Sequence, residues 1–182
     1  MRYNAKQIKL KDGSLCILRS PEIDDAKALM NFLNLTAKET YYLSIYPEEV
    51  IYDIKKEQEI IEEVLNSHKD VMITAIINGE IAGNVGVRKI RELIKEKHRY
   101  GFGIAIIEKH WNKGLGNILI KEAIKIAKDM GYEQMELGVF FDNYKAKALY
   151  EKYGFEVWGV IKNAFKLKNG TYHDEIEMGK IL

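Results

Sequence analysis

The sequence predicts an α+β fold in which helices cover both faces of a central, mostly antiparallel mixed sheet. Three observations support this prediction. Strand patterns outnumber helix patterns and do not alternate strictly with them, which argues against a purely parallel sheet. Asn-Gly pairs at 78–79 and 169–170 predict tight hairpin turns between strand patterns. Amphipathic helix patterns occur both before and after the central strands, so both faces of the sheet can be covered.

The elements follow from apolar spacing and from the residues that begin and end helices. In chain order we predict a strand at 15–19, a helix at 20–33, an irregular segment at 34–50, a helix at 53–67, strands at 71–77, 81–89 and 100–107, a helix at 118–130, a strand at 134–140, a helix from 143 to 153, and a hairpin of strands at 156–167 and 171–180. The irregular segment carries three tyrosines, which either shape a pocket or cover the core.

Length and composition restrict the class of protein. The 182 residues are 47% hydrophobic and 30% charged with a net charge of +1, which predicts a single domain over residues 1–182. No nucleic-acid partner is expected, because the basic cluster at 88–99 is interrupted by Glu92 and Glu96. No membrane partner is expected either, because no apolar run reaches spanning length. The lone Cys16 and the polar first residues predict a cytoplasmic protein without disulfides.

A turn between a predicted strand and a predicted helix carries two glycines, Gly114 and Gly116. Glycine permits sharp backbone turns and close approach of a ligand. The unpaired N–H groups of the first helical turn and the helix dipole favour an anion such as a pyrophosphate. Lys113 is expected to add positive charge there. One Gly-x-Gly is weak evidence, because the third glycine of the dinucleotide fingerprint is replaced by Leu119.

A second motif strengthens the interpretation. The segment from Asn143 to Phe155 has the form Asn-x-x-Ala-x-x-Leu-Tyr-x-x-x-Gly-Phe, and it follows the glycine turn at Trp111–Gly116 in register. Together the two motifs resemble the GNAT superfamily of acetyl-CoA-dependent N-acetyltransferases, in the branch similar to ribosomal-protein and small-amine acetyltransferases. The resemblance covers about residues 14 to 180. One departure is Trp111, where the family usually has Gln or Arg.

The resemblance implies a GNAT-like acyl-CoA N-acyltransferase fold and acetyl-CoA as co-substrate. In that fold two neighbouring parallel strands splay apart and the pantetheine arm enters the gap; here they would be the strands at 100–107 and 134–140. The residues that the resemblance assigns to cofactor binding are Ile104 and Ile106 through their backbone, then Trp111, Asn112, Lys113, Gly114, Leu115, Gly116, Asn117, Asn143 and Ala146.

Acetyl transfer from a thioester to an amine needs a proton acceptor for the amine and a proton donor for the departing thiolate. The motif match implies that Tyr150 is the donor, and a phenol keeps its proton at neutral pH. The acceptor stays open, because the strand before the glycine turn has no carboxylate. Glu48, Glu49 and Asp174 are candidates, and a base relayed through water or an amine that arrives deprotonated are alternatives. Asp174 is expected to share a face with Ile176, while His173, Glu175 and Glu177 face solvent.

The sequence leaves the acceptor substrate open between a small-molecule amine and a protein N-terminus. An acetyl-CoA sensor without turnover is the alternative function. Direct attack in a ternary complex is expected, since no covalent nucleophile is evident. The four histidines are scattered, so no metal site is expected. Exposed strand edges and Trp158 allow a homodimer.

Overall fold

The computed structural model of the protein describes residues 1–51 and 53–182. Its strands form one eight-stranded sheet in the order β1-β2-β3-β4-β5-β6-β8-β7. The strands are β1 (Lys6–Lys9), β2 (Leu15–Arg19), β3 (Val71–Ile77), β4 (Glu80–Lys89), β5 (Arg99–Ile106), β6 (Gln134–Phe140), β7 (Glu156–Lys166) and β8 (Tyr172–Ile181). The helices are α1 (Ala26–Glu39), α2 (Ile54–Asn66), α3 (Leu115–Asp129) and α4 (Tyr144–Lys152).

Helices cover both faces of the sheet, as predicted. On one face α1 and α2 bury Leu29, Phe32 and Ile61 against the sheet. On the other face α3 buries Leu119 and Ile120 in the larger core, with Tyr150 of α4 in the same cluster. The central strands therefore present alternate side chains to one helical layer or the other. We call these the α1 face and the α3 face.

Among the strands of residues 1–51 and 53–182, only one neighbouring pair, β5 and β6, is parallel, and it is paired over a short length. The register joins Arg99 to Gln134, Tyr100 to Met135 and Gly101 to Glu136, and no further. Beyond these residues β5 continues beside β4, and β6 continues beside β8. The two strands therefore diverge toward their carboxyl ends and open a gap in the middle of the sheet, as the family resemblance implied.

The ion pair between Arg99 and Glu136 bridges the paired ends of β5 and β6. The guanidinium Nε and Nη2 donate to the two carboxylate oxygens at 2.6 and 2.7 Å. The hydrogen bonds from Arg99 and from the Gln134 amide lower the pKa of Glu136 below its ordinary value, although partial burial acts in the opposite direction. This bidentate contact holds the strands together next to the point where they separate.

The main differences between the structure and the predicted elements lie in the first residues, in α1 and in α3. Strand β1 lies among the polar first residues, where no element was predicted, because its only apolar residue, Ile8, gives no alternation to detect. Helix α1 begins at Ala26, after the short 3-10 turn Ile23–Asp25, and not at residue 20. It continues to Glu39 through Asn34 and Thr36, which are weak helix formers, since Thr36 is buried and its hydroxyl donates to the Phe32 carbonyl. Helix α3 begins three residues earlier than predicted, at Leu115.

We predict that Glu136→Gln lowers the free energy of unfolding by about 1 kcal/mol at pH 7, because solvent screening keeps a partly exposed bidentate pair near that value. A carboxylate whose pKa is lowered by folding stabilises the protein at pH values above its unfolded pKa of about 4.3. This stabilisation is lost as the pH falls through the pKa of the carboxylate in the folded protein. Urea denaturation at pH 7 and at about pH 3 measures both effects. Glu62→Gln, on the exposed side of α2, is the matched control. An equal loss at both pH values would contradict the assignment.

Candidate functional site

A cavity of about 1070 Å³ passes through the gap between β5 and β6 and reaches both faces of the sheet. All of the predicted cofactor residues line it except Lys113 and Gly114, and the predicted proton donor Tyr150 lines it too. The sequence-based site residues, drawn from β5, the turn before α3, and α4, are therefore brought together in space. The fold places these elements side by side because α3 and α4 both pack on the α3 face.

The β5 backbone presents hydrogen-bonding groups to this cavity. Ile107 N–H donates to the Ala82 carbonyl and Ile90 N–H donates to the Arg99 carbonyl, so the odd-numbered residues of β5 bond to β4. In an antiparallel pair the intervening residues point their N–H and C=O groups the other way. Those of Ile104 and Ile106 thus point into the gap, where an extended ligand could pair with them like a strand.

Two left-handed residues form the turn before α3. Asn112 has φ of 61° and Gly114, the residue before the first turn of α3, has φ of 89°. A β-carbon on Gly114 would also lie 3.3 Å from the Lys11 side chain. The turn directs the unpaired N–H groups of Leu115, Gly116 and Asn117 outward, which is the arrangement that binds phosphate oxygens.

Lys113 is placed differently from the expectation. Its Nζ lies 3.1 Å from Asp12 Oδ2 in an ion pair, and the side chain does not line the cavity. The charge that was expected at the turn is directed toward the loop between β1 and β2. An anion bound at this turn would therefore be held by backbone N–H groups rather than by Lys113.

A side chain at Gly116 would crowd the contact between α3 and α4. A β-carbon there would lie 3.0 Å from Leu149 Cδ2 of α4 and 3.5 Å from Ile106 Cδ1 of β5. The absence of a side chain lets α3 and α4 approach closely at the wall of the cavity. From the sequence, the reason for a glycine at this position was the approach of a ligand. The packing of α3 against α4 is a second reason, which the sequence did not reveal.

Trp111, which stands where the family motif usually has Gln or Arg, connects the turn to β5. Its indole Nε1 donates to the Ile106 carbonyl at 2.7 Å, which ties the turn back to the end of β5. Lys145 Nζ lies 6.0 Å from the centre of the indole ring. The contact occupies one carbonyl on the gap side of β5 and leaves the N–H of Ile106 facing the cavity.

Helix α4 is fixed at its start and along its side. Asn143 caps the helix, with Oδ1 accepting from Ala146 N–H at 3.2 Å, so its amide NH₂ is the group left for a ligand. Asn117 Oδ1 accepts from Lys152 Nζ and from Tyr153 Oη, which joins α3 to α4. Both asparagines therefore have structural roles besides the ones that the resemblance implies.

Tyr150 lines the cavity from α4. Its side chain is buried, and burial raises the pKa of its phenol to about 12. Its ring packs edge-on to Phe102 and Phe155, with centroids 6.0 Å apart in each case. The phenol stays protonated over the whole physiological range, so it can donate a proton to a developing anion.

The α1 face of the cavity was not identified from the sequence. Gly86 of β4 and Gly103 of β5 lie here, and a β-carbon on either would meet no atom within 4 Å. Arg88 and Asn84 also line the cavity, and Asn84 Oδ1 is buried without a hydrogen-bond partner. Glycines at alternate positions of adjacent strands leave space on one face, and that pattern could have revealed the cavity.

The loop after α1 borders the same side of the cavity. Tyr41 Oη donates to Asp142 Oδ2 at 2.7 Å, and Tyr42 Oη donates to the Asp142 carbonyl at 3.3 Å. His173 Nδ1 lies 3.3 Å from the same carboxylate oxygen. The two tyrosines of the irregular segment thus join it to the residue that precedes the cap of α4, and Tyr42 lines the cavity.

The predicted proton acceptors do not line the cavity. Asp174 forms an ion pair with Lys162 and accepts from Asn163 N–H, and these contacts lower its pKa. Glu48 pairs with Lys168, and Glu49 accepts from Tyr46 N–H.

The expectation that Glu175 faces solvent is wrong. Glu175 lines the cavity on the α1 face, which α1 and the loop after it cover. The strand alternation correctly separated Glu175 from Ile176, but it could not tell which face the rest of the chain covers.

Within residues 1–51 and 53–182, no helix has both the length and the apolar character needed to span a membrane. The same residues contain no cluster of three or more side chains suited to holding a metal ion.

Comparison with known proteins agrees with this geometry. The profile of the Acetyltransferase (GNAT) family matches residues 30–155. An L-amino acid N-acetyltransferase of Escherichia coli is 31% identical over 110 residues, which cover 60% of this chain and 67% of the relative. A crystal structure of a GNAT-family acetyltransferase from Streptococcus pneumoniae superimposes with a TM-score of 0.88 at 28% identity, covering 92% of this chain and 99% of the other.

A further structure, the yncA protein of Salmonella typhimurium with its cofactor acetyl-CoA, has a TM-score of 0.80 at 18% identity and covers 99% of this chain and 95% of the other. At that identity the likeness shows the fold alone. Since the family profile covers the helices and strands that form the gap, the turn and α4, this chain belongs to the GNAT family and is an acetyl-CoA-dependent acetyltransferase.

Proposed function

We propose that the enzyme transfers the acetyl group of acetyl-CoA to the primary amine of a small acceptor by direct attack in a ternary complex. The continuous cavity supports this most strongly, because the predicted cofactor residues and the groups of the α1 face line one space. An amine entering from the α1 face could meet a thioester held in the gap. Cys16 is buried outside the cavity, and burial raises the pKa of its thiol to about 11, which argues against a cysteinyl intermediate.

The proposed acceptor is the α-amino group of a free amino acid. Arg88 brings a guanidinium to the cavity, and no carboxylate among the described residues lies within ion-pair distance of it. A planar guanidinium binds carboxylates in a bidentate manner. The name of the Escherichia coli relative, an L-amino acid N-acetyltransferase, supports the same class. The first residue of a protein has no free α-carboxylate, so a protein N-terminus could not form this contact with Arg88.

In this mechanism the protein orients both substrates and supplies one proton. A backbone N–H of β5 in the gap, at Ile104 or Ile106, would stabilise the oxyanion of the tetrahedral intermediate. Tyr150 would protonate the thiolate as the C–S bond breaks, since its raised pKa keeps the proton available. A cofactor sensor without turnover is the competing function.

Thiol release from acetyl-CoA by the purified protein tests the proposal. The acceptor panel contains free amino acids, amino-acid amides, short peptides, polyamines and aminoglycosides. We expect thiol release in the presence of free amino acids. We expect a lower rate of release with the corresponding amides, which lack the carboxylate. Release with peptides alone would move the acceptor to a protein N-terminus. Acetyl-CoA binding in calorimetry without release for any amine would favour a sensor.

We predict that Tyr150→Phe lowers kcat by about 10²-fold, because the thiolate then leaves without a proton donor. The dissociation constant of acetyl-CoA, measured by calorimetry, should not change, since the phenyl ring keeps its packing. Tyr172→Phe, which removes an exposed hydroxyl on β8, is the matched control and should retain full turnover. Full turnover in Tyr150→Phe would exclude the phenol as the proton donor.

We predict that Arg88→Gln raises the KM of the best free amino acid by at least about tenfold, because a charge-assisted hydrogen bond is worth about 1.5–3 kcal/mol. The KM of the corresponding amino-acid amide should change little. Lys89→Gln is the matched control, because Lys89 does not line the cavity and pairs with Glu92. Equal effects on the acid and its amide would contradict the proposed carboxylate contact.

A further inference from the structure

We propose that Glu175 is the catalytic base that takes the proton from the incoming ammonium group, an assignment that rests on the proposed function. Glu175 projects from β8 into the α1 face of the cavity, where the acceptor would enter. Tyr150 lies on the α3 face of the same cavity. The two groups thus approach the gap from opposite sides of the sheet, as a base for the amine and an acid for the thiolate must do.

Gly138 of β6 makes the position of the Glu175 carboxylate possible. A β-carbon on Gly138 would lie 1.9 Å from Oε1 and 2.8 Å from Cδ of Glu175. The carboxylate therefore lies in the space that a side chain at position 138 would fill. Both residues line the cavity, and Gly138 lies on the strand that forms one edge of the gap. Together they place a carboxylate beside the opening in the sheet.

Other carboxylates are poorly placed for this role. Among the described residues, Asp142 and Glu175 are the acidic side chains that line the cavity. Asp142 Oδ2 accepts from Tyr41 and lies beside His173, and its Oδ1 is buried out of reach of solvent. Strand β5 reads Arg-Tyr-Gly-Phe-Gly-Ile-Ala-Ile and brings no carboxylate to the gap. Glu175 is the carboxylate left to contact an acceptor.

The surroundings of Glu175 favour a base. Partial burial, with a smaller contribution from Glu177 on the same strand, raises the pKa of Glu175 above its ordinary value. A raised pKa makes the carboxylate a stronger base while it stays ionised at neutral pH. The other titratable or charged groups around the cavity are Arg88, Tyr42, His110, Asp142, Tyr144, Lys145 and Tyr150. Burial lowers the pKa of His110, so that imidazole is neutral at pH 7.

The proton balance is complete without another reactant. One N–H bond of the ammonium breaks and an O–H bond forms on Glu175. The neutral amine forms a C–N bond to the thioester carbonyl, the C–S bond breaks, and the thiolate takes the proton of Tyr150. The second amine proton is lost to solvent, the phenolate takes one back from solvent, and Glu175 releases its proton to water. The products are the N-acetyl amine, coenzyme A and one proton.

The first test compares Glu175→Gln with the wild type, using acetyl-CoA and the amine of highest turnover in the panel above. We expect kcat at pH 7 to fall by about 10²-fold while the dissociation constant of acetyl-CoA stays unchanged. Asp174→Asn, the adjacent carboxylate on the opposite face of β8, is the matched control and should keep its turnover. Wild-type turnover in Glu175→Gln would overturn the assignment alone, whereas no turnover by the wild type would overturn the proposed function.

The pH profile separates a base from a structural carboxylate. In the wild type, kcat/KM should fall only as the pH drops through the raised pKa of Glu175, because the ionised form is required. In Glu175→Gln, kcat/KM should rise about tenfold per pH unit, following the neutral fraction of the amine, and approach the wild type near the amine pKa. A profile that is lowered equally at every pH would indicate a structural role and overturn the assignment.

A double-mutant cycle tests the contribution of Gly138. Gly138→Ala should lower kcat by displacing the Glu175 carboxylate, and the flexible end of that side chain can move without unfolding the protein. In a Glu175→Ala background, Gly138→Ala should have little further effect, because no carboxylate is left to displace. Additive losses in the two variants would show that Gly138 acts through something other than Glu175.

Discussion

The early separation of β5 from β6 is the constraint on which the site depends. Strand β5 stays paired with β4, and β6 stays paired with β8. The sheet therefore opens between β5 and β6, in its middle and not at an edge. Backbone N–H and C=O groups exposed by the opening need partners, and buried groups of this kind are almost always satisfied in proteins. The Arg99–Glu136 pair limits the opening at one end, and the Trp111 indole satisfies one carbonyl at the other. Between them the β5 backbone at Ile104 is available to a ligand.

The opening also separates two chemical environments. The α3 face of the cavity is bounded by α3 and α4, whose residues are already linked to one another through Asn117 and the Gly116–Leu149 contact. The α1 face is bounded by glycines, the charged side chains of Arg88 and Glu175, and a loop joined to Asp142 by Tyr41. The α3 face thus carries the residues of the two family motifs, while the α1 face carries charged side chains that lie outside those motifs.

Local pattern was enough to predict what depends on neighbours in sequence. The two hairpins, the glycine turn and the α4 cap are local features, and the motif spacing identified residues that line one side of the cavity. The role of Glu175 was missed for a physical reason. The alternation along β8 places Glu175 and Ile176 on opposite faces of the sheet. Whether the face of Glu175 is enclosed depends on α1, which lies over 130 residues earlier in the chain. The Lys113–Asp12 pair was missed similarly, because it joins the turn to a distant loop.

Gly116 shows what a sequence motif can and cannot imply. Its lack of a side chain also favours the close contact with Leu149, within the protein itself and before any cofactor arrives. Selection for a stable fold therefore favours glycine here even in a descendant that had ceased to bind acetyl-CoA. An intact glycine turn is thus a record of ancestry and architecture, and the groups around the α1 face carry the information on whether a given descendant is still an active enzyme.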